Sequence, residues 1–142
     1  GDMNGYLEQH QEVDICLDTF PYTGGTTAYH ALWMGVPTLT LAGRTVPGRP
    51  GAAILGQVGL QAFIAHDPAE FVARGVALAS DLAALARIRS ESRERLRQSA
   101  MGRPELIASS LERALRVMWQ RWCDKLPPAA FTVGTQDLAD WR

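Results

Sequence analysis

The stretch DTFPYTGGTTAYHALWMGVP, Asp18 to Pro37, fixes how the chain folds around it. Before it lies VDICLDT (Val13 to Thr19), a short, mostly apolar run with a β-branched start whose length suits a buried parallel strand. Phe20 to Gly25 is a turn, marked by Pro21 and the paired Gly24 and Gly25. Thr26 or Thr27 then stands where an N-cap is expected. Good helix formers follow, and the helix should stop at Gly35 with Pro37 just beyond. PTLTLAG (Pro37 to Gly43) reads as the next strand.

Working outward, RTVPGRPG is a loop, Ala52 to Val58 a short helix, and Ala62 to Ala65 a third strand. Strand, loop, helix, strand is the order of a parallel α/β sheet with right-handed crossovers. The expected fold class is α/β, partly Rossmann-like, with about three parallel strands flanked by helices and a helical C-terminal half. Asp67-Pro68 opens a helix carrying Phe71, Val72, Val76 and Leu78, since Asp is a good N-cap and Pro is tolerated at the first helical position. Further helices are expected over Asp81 to Ala100 and Pro104 to Lys125, the latter with Leu106, Leu111, Leu115, Met118, Trp119 and Trp122 as its apolar side. Upstream, Tyr6 to Glu12 suits a short helix or turn. Residues 1–126 form the folded part, and 127–142, after Pro127-Pro128, a loosely held tail.

Composition bounds the function. The 142 residues are 46% hydrophobic and 20% charged, enough for one modest core. That apolar content excludes disorder, and no uninterrupted apolar run reaches the roughly eighteen residues of a spanning helix. A formal charge of -1 gives no general attraction to nucleic acid or an anionic membrane, so binding must come from a local site. Arg87, Arg89, Arg93, Arg95 and Arg97 interleave with Glu91 and Glu94 at helical spacing, which reads as a solvated face with local ion pairs rather than a nucleic-acid patch. Cys16 and Cys123 stand apart with no CxxC or Cys/His cluster, so neither a zinc site nor a disulfide framework is suggested. Their context suits a reducing, cytoplasmic setting, with Cys16 a small core residue. The N-terminus lacks the pattern of a signal peptide and reads as the middle of something longer.

The chemistry sits at the turn. A strand end, two glycines and two threonines opening a helix expose backbone N–H groups and hydroxyls together at a positive helix end, which suits phosphate oxygens. The carboxyl end of a strand in an open α/β sheet is also where ligands bind. Gly-Gly-Thr-Thr alone serves capping equally well.

The longer pattern LDTFPYTGGTT followed by ALWMGVPTLTLAG resembles the C-terminal catalytic lobe of the SPINDLY-type and O-linked N-acetylglucosamine transferases, glycosyltransferases of GT-B architecture with tetratricopeptide repeats upstream. The resemblance runs from about Tyr6 to Trp122, through GRTVPGRPGAAILGQVGL to RVMWQRWC. It implies transfer of a sugar, N-acetylglucosamine above others, from a uridine diphosphate donor to Ser or Thr of an acceptor protein. No cofactor or metal is implied. It places Gly25, Thr26 and Thr27 at the diphosphate and Tyr6 against the uracil ring. His30, three residues after Thr27 and expected on the first helical turn, falls where relatives often carry an acid for the ribose hydroxyls. It either contacts ribose or phosphate in its own manner or packs against the loop.

Arg49 could face the pyrophosphate or cap a carboxylate within its loop, the second being favoured. Asp18 reads as support for the turn, and His10 and His66 as surface or packing residues. No nucleophile and base pair stands out. The resemblance further implies a fragment, about half of one lobe, inactive by itself. An open sheet edge and uncovered apolar helix faces then favour self-association. The competing reading is a non-catalytic interaction or scaffold module whose nucleotide pocket has decayed, with His30 in place of an acid as its motive.

Overall fold

The computed structural model describes residues 2–133. The chain divides into two compact units, Gly1–Ser99 and Ala100–Arg142. In the first, helix α1 (Met3–Glu8) and a single turn Gln9–Gln11 lead to strand β1 (Cys16–Leu17). Helix α2 (Thr26–Trp33), strand β2 (Thr38–Leu41), helix α3 (Pro50–Gln57), strand β3 (Ile64–Ala65), and helices α4 (Pro68–Ala79) and α5 (Leu82–Gln98) follow. The strands form a parallel sheet in the order β1-β2-β3, with Cys16 opposite Thr38 and Thr40 opposite Ile64. This is the expected α/β architecture.

Local chemistry accounts for the boundaries. Asp67 accepts the Glu70 N–H at 2.8 Å ahead of Pro68, and Asp81 accepts the Ala84 N–H at 2.9 Å, so α4 and α5 start at carboxylate caps. Helix α2 ends at Gly35, whose φ of 86° belongs to the left-handed region. A side chain there would also meet the Arg89 carbonyl oxygen at 2.8 Å, so glycine is required twice over. Leu32, Val36, Leu39, Leu55, Phe63 and Ala65 make the core around central strand β2. Burying each of the larger of these is worth about 1.5–3 kcal/mol.

Several expectations need correction. Only Cys16 and Leu17 of the 13–19 run are paired as strand, because β1 is the edge of the sheet and Leu17, 68% exposed, has no second neighbour. Cys16 is accordingly half-buried rather than core, although burial still pushes its thiol pKa up. The N-cap of α2 is Gly25, not a threonine, and no side chain caps it. His30 therefore lies on the second turn of α2, not the first. The third strand is preceded by a single turn, Gln61–Phe63, and α3 begins at Pro50.

The α5 arginines do more than pair locally. Arg89 donates to the Val13 carbonyl at 2.7 Å and the His10 carbonyl at 3.1 Å; Arg93 donates to the Trp33 carbonyl at 2.9 Å and lies over the Trp33 ring. Arg95 reaches the Val58 carbonyl at 3.3 Å while holding Glu91. The Trp33 and Val58 carbonyls lie at helix C-termini, where the dipole is negative and a cation is favoured. Helix α5 thereby ties the site-bearing elements down.

The second unit holds a single turn, Ala100–Gly102, and helix α6 (Pro104–Cys123). Leu111, Leu115, Met118, Trp119 and Trp122 are exposed along that helix. Residues 127–133 carry no helix or strand, and the rest of the expected tail, 134–142, lies outside the described residues. No described helix is long and apolar enough to cross a membrane.

Candidate functional site

The carboxyl end of β1 is organised by Asp18. One carboxylate oxygen accepts the Thr19 N–H at 2.9 Å and the Gly24 N–H at 2.7 Å; the other accepts the Thr40 hydroxyl at 2.7 Å. Thr19 closes the turn by donating to the Tyr22 carbonyl at 2.6 Å. The loop after β2 is stapled on by Thr23. This buried residue donates N–H and hydroxyl to the Pro47 carbonyl, and its oxygen accepts the Gly51 N–H at 3.2 Å. A Cβ on Gly51 would stand 2.5 Å from the Asp18 carboxylate and 2.6 Å from the Thr40 hydroxyl. Neither Thr23 nor Gly51 carries a sequence signal of this role. Asp18 does, as a carboxylate directly before a turn.

With the turn held, the start of α2 faces open space. The N–H groups of Gly25, Thr26 and Thr27 meet no acceptor among the described residues, and nothing lies within 4 Å of where a Cβ on Gly25 would be. Thr26 and Thr27 are exposed. Unpaired amides with hydroxyls at a helix start have the chemistry to accept phosphate oxygens.

Beside it, α1 and α2 bring Tyr6 together with two histidines. The Tyr6 ring packs edge-on against His10 at 5.1 Å and His30 at 5.6 Å, and its hydroxyl lies 3.4 Å from His30 Nδ1. His30 thus packs on Tyr6, while the half-buried phenol remains at the rim. His10 is buried, with Nδ1 3.2 Å from the Tyr6 carbonyl. Between α2 and the sheet runs a cleft of about 280 Å³ that Tyr6, His10, Cys16, Asp18, Thr27 and Thr38 help to line. Gly25, Thr26 and His30 lie outside that lining.

Arg49 is exposed and caps no carboxylate among the described residues, contrary to the favoured reading. The His66 backbone N–H donates to Glu70 at 2.6 Å. Among the described residues no group of three or more His, Cys, Asp or Glu could hold a metal ion.

The model of glycosyl transferase family 41 matches residues 4–111, which takes in every one of these site elements. The chain belongs to glycosyl transferase family 41. The probable UDP-N-acetylglucosamine--peptide N-acetylglucosaminyltransferase SPINDLY of Hordeum vulgare is 40% identical over 124 residues, 87% of this chain and 13% of that protein. Its Arabidopsis thaliana counterpart is 38% identical over 118 residues, again 13% of its length. A solved structure of a mutant Thermobaculum terrenum O-GlcNAc transferase superposes with a TM-score of 0.81 at 36% identity, covering 88% of this chain and 24% of that one. The chain thus spans about an eighth of these curated relatives.

Proposed function

We propose that this segment is the diphosphate-holding part of the nucleotide-binding lobe, within residues 1–126, of a family 41 protein. The full-length protein transfers N-acetylglucosamine from a uridine diphosphate donor to a Ser or Thr hydroxyl of an acceptor protein. The observation that carries the reading is the open α2 start, where the Gly25, Thr26 and Thr27 amides face outward beside the Thr26 and Thr27 hydroxyls. As the bond from sugar to diphosphate breaks, negative charge grows on the leaving diphosphate. Preorganised amides at a helix N-terminus stabilise that charge more than they stabilise the ground state.

Asp18 shapes this end without touching the diphosphate, since three donors already occupy its carboxylate. Tyr6 stacks on the base, and His30 positions Tyr6 through its ring contact. The open edge of β1 and exposed Leu17 are where preceding strands of the lobe complete the sheet, so the 142 residues alone are inactive.

The test is calorimetric titration of the full-length protein with uridine diphosphate, alongside Thr27→Ala and Tyr6→Ala. Losing a hydroxyl contact to a charged oxygen should weaken binding about ten-fold, and losing a stacked ring by about as much. No binding by the wild type, or undiminished binding by both variants, would favour a scaffold module with a decayed pocket.

A further inference from the structure

The paired glycines of the turn before α2 meet different surroundings. Nothing lies within 4 Å of where a Cβ on Gly25 would be, whereas a Cβ on Gly24 would stand 2.6 Å from Thr27 Oγ1 and 3.2 Å from Asp18 Oδ1. The backbone of Gly24 does not itself demand glycine, since positive φ among the described glycines is confined to Gly35 and Gly59. What excludes a side chain there is the Thr27 hydroxyl. It occupies the space that a bare Cα leaves free.

If a methyl group were forced into that space, one side would have to give, and the hydrogen bonds decide which. Gly24 is held on both flanks: its own N–H donates to Asp18 at 2.7 Å, and the preceding Thr23, 1% exposed, is bonded to Pro47 and Gly51 of the loop after β2. The Asp18 oxygen needs to yield only a few tenths of an ångström. Thr27, by contrast, is exposed, and its hydroxyl makes no capping bond and has no hydrogen-bond partner among the described residues. A helical threonine has two χ1 wells open to it. A methyl on Gly24 therefore turns the Thr27 side chain into its other well and leaves the backbone in place. Rotating an exposed, unpaired hydroxyl costs the ligand-free fold little.

We infer that Gly24 is a positioning residue, its missing side chain being the socket that keeps the Thr27 hydroxyl in the rotamer that serves the diphosphate. The inference rests on the diphosphate site proposed above and deepens it: the rotamer of Thr27, and not only the presence of its hydroxyl, sets the affinity. Gly24 and Thr27 both line the cleft between α2 and the sheet. A hydroxyl oriented in advance gives up less rotamer freedom when the ligand arrives.

The experiment is a double-mutant cycle on the full-length protein, titrating uridine diphosphate calorimetrically into wild type, Gly24→Ala, Thr27→Ala and the double variant. Gly24→Ala should weaken binding about ten-fold, as Thr27→Ala does, because each removes the same hydroxyl contact to a charged oxygen. The double variant should bind within about two-fold of Thr27→Ala, since no hydroxyl is left for the methyl to displace. The ligand-free Gly24→Ala protein should keep the heat-unfolding midpoint of wild type. Losses that multiply to roughly a hundred-fold in the double variant overturn the inference, because Gly24 then acts independently of the hydroxyl. A lowered midpoint overturns it as well, because the backbone has then moved. Undiminished binding by Gly24→Ala beside a weakened Thr27→Ala overturns the positioning role and leaves the diphosphate site standing. A wild type that does not bind uridine diphosphate overturns both.

Discussion

Gly51 shows how closely the site is built at the level of single atoms. It stands on the first turn of α3 with no cleft of its own, yet a methyl group there would press on the Asp18 carboxylate and the Thr40 hydroxyl together. Those two groups define the turn that leads into α2. Gly51→Ala should therefore destabilise the fold by about 2 kcal/mol, the usual cost of overpacking a filled site, as read from the midpoint of urea unfolding. An unchanged midpoint would mean that Asp18 and Thr40 can part without cost. Thr38 is the opposite case, a buried hydroxyl with no hydrogen-bond partner among the described residues. The alternation of threonines in TLTL, inside a strand buried on both faces, was the one sequence signal available for it.

Helix α4 gives a pH test that stays clear of the site. Glu70 accepts the His66 backbone N–H and pairs with Arg74 at 2.7 Å, and these, the backbone bond first, hold its carboxyl pKa below the ordinary range. A depressed folded pKa means stability that is present above the unfolded value and lost as pH falls through the folded one. The heat-unfolding midpoint of wild type should exceed that of Glu70→Gln at neutral pH, and the gap should close below about pH 4. A gap independent of pH would contradict the assignment. At this scale most of the fold was legible in the sequence: Asp67 and Asp81 as caps, Gly35 as a stop, and the alternation of strand and helix each follow from a local rule. The misplacements share a cause, which is tertiary context. Gly25 caps α2 because Asp18, six residues upstream, fixes Gly24, and β1 shrinks to two residues because no neighbour extends it. Arg89, Arg93 and Arg95 looked like a solvated stripe because their carbonyl partners are 37 to 79 residues away in sequence.

For the whole molecule, the near-neutral charge of the chain leaves binding to local arrangements, and at the open start of α2 unpaired amides, hydroxyls and space coincide among the described residues. The candidate site was read from the sequence as a motif in Gly25, Thr26 and Thr27, with Tyr6 and His30 added by the family resemblance; that the Tyr6 and His30 rings touch was not legible, because no local rule brings α1 onto α2. The central claim is that these amides hold the donor diphosphate. Amide hydrogen exchange of the full-length protein, followed residue by residue with and without saturating uridine diphosphate, tests it most directly. Exchange at Gly25, Thr26 and Thr27 should slow; saturation with the nucleotide that leaves exchange at these three amides unchanged would contradict the diphosphate contact.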